Sequence, residues 1–547
     1  MKILSTISAI DLKILPQNAA YALKDKSHLC FLDSSLIPNK YSLFSYIAWN
    51  PKLILKSYGH KNEFISFAGR VGYYSFQHPL SFLKQNIKDY TYSPPGSELK
   101  KIDVVFIGND KVIKVTQKIK EKLPRFLGGF TGYFSYDLKN HIEELPSRAV
   151  DDINLPLFYL AYYDRLLAYG HTDGKWYYIR NFPVLEGKEK DSKGKDGRGS
   201  DYRNENSNIP EMVFQEDDYV SPGIGNKDLV KKINTEIKVM FDDLKKTEDI
   251  KKNIIEKYYK KNISNVRLHS NLTRRNYIKR VLKTKEYIHN GDIYQANFSQ
   301  RFEADMPVDP MDLYYILREK NAAPFSAFLR FPEFSIGSSS PERFLFLQKD
   351  TIETRPIKGT RPRGKDSAGD DKNMMELKNS IKDRAELNMI VDLERNDLGK
   401  FCYYGTVKVS GHAVIEKFAK VFHSVSTVTG RVKKGADVSN MIKAAFPGGS
   451  ITGAPKIRAM EIIDELEPVA RNVYTGSIGY IGIDSTMDLN IVIRTFIIKG
   501  NKFYYNVGGG IVEDSVPEEE YRETLDKGIA LEETLKFFRA KNLKELL

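Results

Sequence analysis

Three consecutive apolar runs near the C-terminus constrain the fold more than any other feature of this sequence. NVYTGSIGYIGI, DLNIVIRTFII and KFYYNVGGGIV lie between residues 472 and 512, and each has the length and the β-branched and aromatic content of a strand. A helix is predicted directly after them, because Ser515 and Glu518 have capping-box spacing and Pro517 would occupy the first turn. This part of the chain is therefore predicted to combine consecutive strands with helices.

The residues from 270 onward continue this mixture of strands and helices. RRNYIKRVLKTKEYIHN predicts a helix that ends near Asn290 and Gly291, with a strand after it. SAFLRF and FSIGSS are typical of strands, and RFLFL with TIETRPI is typical of a hairpin. DKNMMELKNSIKDRAELNMIVDLERNDLG predicts one long helix that stops at Gly399.

Residues 1–180 are predicted to be rich in strands. HLCFLDSSL is typical of a short buried strand that ends in a turn. LFYLAYYDRLLAYGHTDGKWYYIRNF predicts two strands joined at Asp173 and Gly174, a strong hairpin signal. Glycines among aromatic residues in FLGGFTGYFSYDL indicate a bulged strand or a close approach of two backbones.

Residues 186–265 have a different composition. EGKEKDSKGKDGRGSDYRNENSN contains almost no apolar residue and predicts a disordered loop, and a highly charged stretch with helical periodicity follows it. We interpret this region as an insertion or linker in which a deletion of 188–208 is tolerated. The predicted division is 1–185, a charged insertion or linker over 186–268, and 269–547.

Composition excludes several classes of protein. The 547 residues carry a net charge of +13, but the lysines are interleaved with acids rather than gathered in one stripe, which favours a solvated surface over a nucleic-acid interface. No apolar run is long enough to cross a membrane, and the N-terminus lacks the pattern of a signal peptide. Cys30 and Cys402 are the only cysteines, so a reducing cytoplasm fits best.

Two predicted helices each carry a pair of acids three residues apart. Asp383 and Glu386 share one helix face, and Glu520 and Glu523 share another, which Lys527 extends. Two opposed acidic faces can hold one Mg²⁺, which prefers carboxylate oxygens together with substrate and water. For either pair alone, a solvated helix face remains the simpler interpretation.

Other residues suggest that an anion binds in the C-terminal half. Ser450 lies in the Gly-rich turn of FPGGSITGAPKIRAMEIIDELEP, where a helix start with Lys456 and Arg458 would favour a phosphate or carboxylate. Arg494 interrupts an apolar strand, so it is either paired, facing a ligand or on an open sheet face, and Tyr474 could bind the same anion. His423 lies in an apolar segment, where a satisfied core histidine is the more common outcome.

Lys358 differs from the other lysines in its backbone setting. In ETRPIKGTRPRG it stands between Pro356 and a Gly359-Thr360 turn, so its position is tightly specified.

These motifs, in this order, resemble those of the chorismate-utilising enzymes, a family that includes component I of anthranilate synthase, component I of aminodeoxychorismate synthase, isochorismate synthases and salicylate synthases. PIKGTRPRG, KDRAELNMIVDLERNDLG, FPGGSITGAPKIRAMEIID, TGSIGYIG and GGGIVEDSVPEEEYRETLDKG carry the resemblance. It is dense from about 270 to 540 and thinner from about 25 to 180, where 1–185 resembles the N-terminal module of anthranilate synthase component I. It implies a large α+β fold in which two antiparallel sheets pack face to face with helices outside.

The resemblance also implies roles for individual residues. Glu386 and Glu523 match the family's Mg²⁺-binding acids, with Asp383 and Glu520 adjacent, so that Mg²⁺ would clamp the ring carboxylate of chorismate. Arg494 and Tyr474 match residues that bind the enolpyruvyl carboxylate. The implied catalytic residues are Lys358, Glu342 and His423, and the implied substrate-binding residues are Gly359, Thr360, Ser450, Tyr474, Arg494, Gly508, Gly510 and Lys527.

The PIKGT motif distinguishes the branches of the family. Anthranilate synthases read PIAGT, whereas aminodeoxychorismate synthases read PIKGT, as this chain does. The resemblance implies that Lys358 adds at C2 of chorismate as the C4 hydroxyl leaves with a proton from Glu342. Ammonia then adds at C4 and the lysine departs, which gives 4-amino-4-deoxychorismate in the para-aminobenzoate branch of folate biosynthesis.

The source of the nucleophile follows from two further positions. Isochorismate and salicylate synthases have a water-activating lysine where this chain has Gln295, so ammonia is favoured over water. Cys402 lacks the glycine-flanked setting of an amidotransferase nucleophile. The resemblance therefore implies a separate glutamine amidotransferase subunit as the partner that supplies ammonia.

A candidate tryptophan pocket is implied in the N-terminal module. FLDSS and YSLF resemble the segments that enclose tryptophan in relatives, and PFSAF completes the pocket. Asp33 stands where anthranilate synthases often have Glu, so feedback inhibition is not implied by this motif. The candidate residues are Ser34, Tyr41, Ser42, Leu43, Phe44, Pro324, Phe325 and Ser326.

Three alternatives remain open from the sequence. Component I of anthranilate synthase would aminate C2 and eliminate pyruvate. A basic nucleic-acid-binding protein belongs to a different class, and no recognisable motif supports it. A non-catalytic paralogue is opposed by the acids at Glu386 and Glu523.

Overall fold

Two large β-sheets organise the chain in a computed structural model. The structure describes residues 2–36, 39–67, 72–87, 102–108, 111–115, 122–184, 218–221, 224–244, 249–261, 266–418 and 421–539. The predicted deletion segment 188–208 and the predicted disordered loop lie outside the described residues.

The first sheet has 14 strands and is antiparallel except where the strand Lys2–Ile10 pairs with the strand Ile102–Gly108. Its strands, in spatial order, are β13 (His269–Ser270), β14 (Gln295–Asp305), β26 (Lys502–Ile511), β25 (Thr495–Lys499), β16 (Phe334–Ser340), β15 (Phe325–Arg330), β2 (Cys30–Asp33), β3 (Phe44–Ala48), β11 (Arg165–Gly170), β12 (Lys175–Val184), β1 (Lys2–Ile10), β7 (Ile102–Gly108) and β8 (Lys111–Lys114), with β22 (Gly453–Ala454) paired to β14.

The second sheet has 12 strands and is antiparallel. Its strands, in spatial order, are β19 (Ile357–Pro362), β21 (Val421–Arg431), β18 (Thr351–Arg355), β17 (Arg343–Gln348), β24 (Met487–Asn490), β23 (Ser477–Gly482), β9 (Gly129–Phe134), β10 (Phe158–Tyr163), β4 (Leu53–Tyr58), β5 (Lys61–Ser66) and β6 (Gly72–Ser75), with β20 (Lys408–Lys417) paired to β21.

Helices cover the outer faces of both sheets. They are α1 (Pro16–Ala22), α2 (Pro79–Ile87), α3 (Asn226–Leu244), α4 (Ile250–Lys261), α5 (Arg274–His289), α6 (Pro310–Lys320), α7 (Ser367–Asn379), α8 (Ile381–Phe401), α9 (Val438–Ala445), α10 (Lys456–Leu466) and α11 (Pro517–Arg539). None of the helices in the described part of the chain is long and apolar enough to span a bilayer.

The main core lies between the two sheets. On β15, Ala327 and Leu329 belong to the cluster that joins the sheets, whereas Phe328 between them packs on the helix-covered outer face. On β25, Ile497 faces inward and Phe496 faces outward in the same way. Successive strand residues point to opposite faces, so a strand buried on both sides is apolar throughout. The two-sheet α+β fold expected from the resemblance is confirmed.

Both halves of the chain contribute to each sheet. β2 pairs with β15 in the first sheet, and β9 pairs with β23 in the second. Strands from 1–185 and from 269–547 are thus interleaved. The division into domains at residues 185 and 268 remains a prediction. In the structure, strands from 1–185 and from 269–547 form the same two sheets.

The two helices within the predicted insertion are part of the packed structure. The apolar side chains of α3 and α4 belong to the cluster on the outer face of the first sheet. Tyr258 of α4 donates a hydrogen bond to the buried carboxylate of Asp312 at 2.7 Å. Glu236 of α3 accepts one from Tyr178 at 2.5 Å. A linker role therefore does not apply to the helices at Asn226–Leu244 and Ile250–Lys261.

Two strand predictions need correction because the chain changes sheets within apolar runs. The run 158–182 contains β10, β11 and β12 rather than two strands, and it leaves the second sheet for the first at Asp164. The predicted strand DLNIVIRTFII is likewise divided into β24 of the second sheet and β25 of the first. An apolar run can continue from one sheet into the other, because the strands before and after the crossing are both buried.

Two helix predictions are also wrong in detail. The predicted single helix is divided at Ser380, whose hydroxyl accepts a hydrogen bond from the Asp383 N–H and begins α8, which continues past Gly399 to Phe401. The predicted capping box at Ser515 is replaced by a hydrogen bond from its hydroxyl to Glu520 at 2.6 Å, while Glu518 pairs with Arg274.

Candidate active site

The candidate site lies where the edge strand β19 of the second sheet faces β14 and β26 of the first. Lys358 occupies a β-bulge, because the register of β19 against β21 shifts between Ile357 and Thr360. Gly359 within the bulge has a φ of 82°, a conformation that glycine adopts without strain. A bulge redirects a side chain out of the regular alternation, and here it directs Lys358 toward the first sheet.

The amine of Lys358 lies against the Gly-rich end of β26. A Cβ atom built on Gly510 would stand 3.2 Å from Lys358 Nζ and 2.9 Å from Gln295 Nε2. Burial lowers the pKa of Lys358, and the charges of Glu386 and Glu342 oppose that effect. The lowered pKa increases the fraction of neutral amine, which is the nucleophilic form.

Glu342 is the buried acid of the site. It lies at a sheet crossing, between the end of β16 and the start of β17, and one of its oxygens accepts the Ile357 N–H at 3.3 Å. Burial raises the pKa of Glu342 to about 7, although hydrogen bonds from Ser450 and Ile357 favour the ionised form. A carboxyl group with this pKa can hold a proton near neutral pH and donate it.

A second buried acid, Glu394 of α8, holds the turn that carries Ser450. The Gly449 N–H donates to Glu394 Oε1 at 2.9 Å, and Thr354 donates to its other oxygen at 3.4 Å. Burial and the neighbouring Asp397 raise the pKa of Glu394 to about 7. Sequence reasoning missed this residue, because nothing in the DLERNDLG motif indicates which of its acids is buried.

His423 contacts the bulge from the neighbouring strand β21. Its Nδ1 forms a 2.8 Å hydrogen bond with Thr360 Oγ1, and its Nε2 is buried without a partner among the described residues. Burial and the nearby Arg494 lower the pKa of His423 to about 3. The imidazole is therefore neutral at physiological pH, and its Nε2 can form one hydrogen bond with a ligand.

Arg494 lies at the second sheet crossing rather than inside a strand. Its φ of 52° places a non-glycine residue in the left-handed region between β24 and β25. Burial lowers its pKa, and Glu342 is the acid that acts against this effect. An arginine at this position keeps its charge and provides donors for a carboxylate.

Tyr474 and Arg471 stand beside this crossing. Tyr474 is buried, and the Arg471 guanidinium lies 5.8 Å from its ring centroid. Arg471 is itself paired with Glu467 at 2.7 Å and donates to the carbonyls of Ile451 and Asn297. Arg471 was missed from sequence, and these contacts give it a role in holding together the segments around Tyr474 and Ser450.

The glycines of β26 separate the lysine from a group of acids. A Cβ on Gly508 or Gly510 would point to β14, whereas one on Gly509 would point to α11 and stand 3.2 Å from Glu520 Oε2. Lys527 donates to the Gly508 carbonyl at 3.1 Å and pairs with Glu523 at 2.6 Å. The three glycines thus allow groups on both faces of the strand to come close.

The two predicted metal-binding acids and their two acidic neighbours belong to α8 and α11. Burial raises the pKa of Glu386 on α8, and Glu523 adds to this rise while Lys358 opposes it. The pKa of Glu523 on α11 is lowered, because Lys527 and Lys358 outweigh the effect of its burial. Glu520 has one buried oxygen without a partner in the described part of the chain. Asp383 instead pairs with Arg361 at 3.1 Å and packs against Gly359, which supports the bulge.

These residues fit Mg²⁺ through the chemistry of their donor atoms. No group of three or more histidine, cysteine, aspartate or glutamate side chains among the described residues is arranged to hold a metal alone. Mg²⁺ commonly takes only one or two carboxylates from a protein and completes its shell with substrate oxygens and water. Glu386 and Glu523, with the free oxygen of Glu520, supply such carboxylates.

The two cations of the predicted anion site at the start of α10 are paired within the protein. Lys456 binds Asp397 and the carbonyls of Ala445 and Pro447, and Arg458 pairs with Asp292 and Glu461. Lys456 and Arg458 are therefore bound to groups of the protein itself. Only Ser450 of the turn reaches the site, through Glu342.

The candidate tryptophan residues line a separate cavity between the two sheets. Its empty volume is about 590 Å³, with open solvent at the mouth included, and Arg125 and Asp488 supply charge to its wall. Ser42 is buried but does not line it. Asp33 in the wall is paired with Arg318 at 2.7 Å. The predicted lining residues are Ser34, Tyr41, Leu43, Phe44, Pro324, Phe325 and Ser326.

Comparisons with known proteins agree with this geometry. Residues 97–533 match the family model described as chorismate binding enzyme. The chain is 39% identical to aminodeoxychorismate synthase component 1 of Escherichia coli, over 74% of this chain and 76% of that protein. It is also 39% identical to an anthranilate synthase component 1 of Haloarcula marismortui, over 74% and 75% of the two chains.

A solved structure shows the same fold. The crystal structure of anthranilate synthase component I from Streptococcus pneumoniae TIGR4 superposes with a TM-score of 0.63 at 27% identity, covering 90% of this chain and 92% of that one. The match to the family model spans most of the chain and includes every residue described around Lys358. The chain therefore belongs to the chorismate-binding enzyme family.

Proposed function

We propose that this protein aminates chorismate at C4 to form 4-amino-4-deoxychorismate, with ammonia supplied by a separate glutamine amidotransferase subunit. The observation that carries the proposal is Lys358, a lysine with a lowered pKa that a β-bulge directs at the pocket. Relatives named aminodeoxychorismate synthase component 1 and relatives named anthranilate synthase component 1 are both similar to this chain. The lysine of PIKGT favours the first activity.

Lys358 and Glu342 are suited to the two halves of the first step. The neutral amine of Lys358 adds at C2 of chorismate, and the double bond shifts as the C4–O bond breaks. Glu342 donates its proton to the departing oxygen, which leaves as water. Because Glu342 has a pKa of about 7, it is partly protonated at neutral pH and can perform this task.

The second step regenerates both residues. Ammonia forms a bond to C4, the double bond returns, and the C2–N bond to Lys358 breaks. The Glu342 carboxylate accepts a proton from the new C4 ammonium group, so the enzyme returns to its starting protonation state. His423 and Arg494 stay outside the bond changes and hold the substrate through a neutral ring nitrogen and a fixed positive charge.

The acids on α8 and α11 would hold Mg²⁺ when it is bound. The ion would supply positive charge to the ring carboxylate of the substrate. Glu386 and Glu523 provide carboxylate oxygens for it, and Glu520 and Asp383 stand beside them. Lys527 pairs with Glu523 and thereby orients this carboxylate toward the glycines of β26.

A separate ammonia source is part of the proposal. Cys30 and Cys402 are both buried, which is unsuitable for a thiol that must attack glutamine. Both are also free thiols, which fits a cytoplasmic setting. Burial raises the pKa of Cys402 to about 11, so its thiolate is scarce at neutral pH. The relative from Escherichia coli is named as a component 1, a name that suggests a second component.

We also propose that the cavity between the sheets binds tryptophan. The support is that seven of the eight predicted residues line one cavity together with a cation and an acid. A rise in the thermal midpoint with tryptophan but not with leucine is the expected result, and equal midpoints would contradict it.

Product identification tests the proposed function directly. The purified chain is incubated with chorismate, Mg²⁺ and either ammonium or glutamine, and the products are separated by mass. We expect 4-amino-4-deoxychorismate with ammonium and none with glutamine. Anthranilate as the main product would instead assign the C2 reaction, and product from glutamine would remove the need for a partner.

A further inference from the structure

Asn297 on β14 has a buried side chain that the mechanism above leaves unused. The residue is 8% exposed, and its Oδ1 atom has no hydrogen-bond partner in the described part of the chain. Its backbone is held on both sides: its N–H donates to the Thr452 carbonyl at 2.7 Å, and its own carbonyl accepts from Arg471. The backbone at this position is therefore held in place, while the side-chain acceptor stays free.

The position of Asn297 on the strand places this free acceptor in the candidate site. Asn297 and Gln295 lie two residues apart on the same face of β14, which separates them by about 7 Å. A Cβ built on Gly508 would stand 3.0 Å from Asn297 Oδ1, just as one built on Gly510 would stand 3.2 Å from Lys358 Nζ. The glycines keep the space beside both polar groups open.

A buried amide oxygen without a partner is costly to the free protein. An unsatisfied buried polar group typically costs about 1–3 kcal/mol, so most such groups in folded proteins find a partner. A ligand in the pocket can supply one here. Because a carbonyl oxygen only accepts hydrogen bonds, that ligand must present a donor at this point.

We infer that Asn297 is a substrate-binding residue whose Oδ1 accepts a hydrogen bond from the donor at C4 of chorismate. This inference rests on the proposed function. At neutral pH both carboxyl groups of chorismate are ionised and its ether oxygen only accepts, so the C4 hydroxyl is its single O–H donor. The amino group that replaces this hydroxyl is also a donor, so the same contact serves substrate and product.

The contact gives Asn297 a role in selecting the reacting carbon. An acceptor directed at C4 orients the leaving hydroxyl and the incoming nitrogen, while Lys358 acts at C2. Asn297 makes and breaks no covalent bond. It fixes the ring so that the Glu342 proton and the C4 oxygen meet.

Asn297→Leu tests the inference, because leucine has nearly the same shape and no acceptor. We expect kcat/KM for 4-amino-4-deoxychorismate formation to fall about tenfold, the usual effect of one lost hydrogen bond. The thermal midpoint should stay equal or rise, since the change removes an unsatisfied buried group. If Asn297 had only a structural role, Asn297→Leu would lower the thermal midpoint and leave kcat/KM unchanged. This outcome would overturn the inference.

Ser5→Ala is the matched control. The hydroxyl of Ser5 is likewise buried without a partner among the described residues, but it lies on β1, nine strands away in the same sheet. Removal of this group should leave kcat/KM unchanged. Asn297→Ala provides a second variant if leucine prevents folding, because the smaller side chain fits any arrangement of the pocket, and the same fall in kcat/KM is expected.

Binding of an analogue locates the contact. In a Lys358→Ala background, which removes the covalent step, affinities are measured by calorimetry for chorismate and for a chorismate analogue that lacks the C4 hydroxyl. With Asn297 present, chorismate should bind about tenfold more tightly than the analogue. With Asn297→Leu the two should bind equally. A preference that persists in the leucine variant would refute the contact.

The two proposals can fail separately. If the wild-type chain produces anthranilate, the C4 function fails whatever Asn297 does. If the wild-type chain produces 4-amino-4-deoxychorismate and the analogue preference is independent of Asn297, only the present inference fails.

Discussion

Replacing Glu342 with glutamine should change both the stability of the protein and its reaction, in opposite directions. Burial raises the pKa of this carboxyl group from 4.5 to about 7 in the folded protein. At a pH between these values the unfolded chain releases the proton and the folded chain retains it. Folding stability therefore falls as pH rises through this window, and the loss is complete above the folded pKa.

The size of the effect follows from the difference between the two pKa values. One unit of pKa corresponds to about 1.4 kcal/mol, so the total loss is about 3 kcal/mol, and only a minor part of it has occurred at pH 5. Wild type should therefore lose roughly 2 to 3 kcal/mol through this group between pH 5 and pH 8. For a chain of this length, that free energy corresponds to about 2 °C in the thermal midpoint.

Glu342→Gln removes the ionisation and keeps the shape. The other groups titrate equally in both proteins, so the difference between their midpoints isolates Glu342. We expect the glutamine variant to gain about 2 °C on wild type between pH 5 and pH 8, measured by calorimetry in matched buffers. Parallel curves for the two proteins would show that Glu342 does not carry the raised pKa.

The same variant tests the general acid. Wild-type kcat should decline as pH rises through about 7, because Glu342 loses the proton that it donates. Glu342→Gln should reduce kcat by at least about 100-fold, the usual contribution of a general acid. Near-normal turnover by a more stable glutamine variant would assign proton donation to another group.

Three further outcomes are expected. Lys358→Arg should abolish 4-amino-4-deoxychorismate formation, and intact-mass measurement of wild type with chorismate but no ammonia should show a covalent adduct. Without such an adduct, and with normal product from the arginine variant, Lys358 would be only an electrostatic anchor. Glu386→Ala and Glu523→Ala should each eliminate Mg²⁺-dependent turnover, and activity of either variant equal to wild type without added Mg²⁺ would contradict the metal assignment. Glu394→Met should lower kcat about tenfold by releasing the Gly449 turn from its anchor, with KM less affected, whereas an unchanged kcat would show that Ser450 needs no such support.

The sequence by itself determined the chemical inventory and the class of fold. Local motifs pointed to Lys358 and the paired acids, the resemblance that they carry pointed to Glu342, and turn residues and apolar runs located most strands and helices. Such features are determined by residues close together in the sequence. A turn at Asp173-Gly174 and a pair of acids at i and i+3 both form without any contact to a distant segment. The tightly specified backbone at Lys358 was predicted as a Gly359-Thr360 turn, whereas the structure places both residues in β19 at a bulge, where Gly359 has a φ of 82°.

Only the tertiary structure decided how the chain crosses between sheets and which groups are left without partners. The crossings at Glu342 and Arg494 lie inside continuous apolar or small-residue runs, and an apolar run has the same pattern whichever sheet buries it. Burial then set the pKa values of Glu342, Lys358 and His423, which depend on residues far away in the sequence. The free acceptor of Asn297 has the same origin, because hydrogen-bond satisfaction is a property of the assembled pocket and not of any segment that forms it.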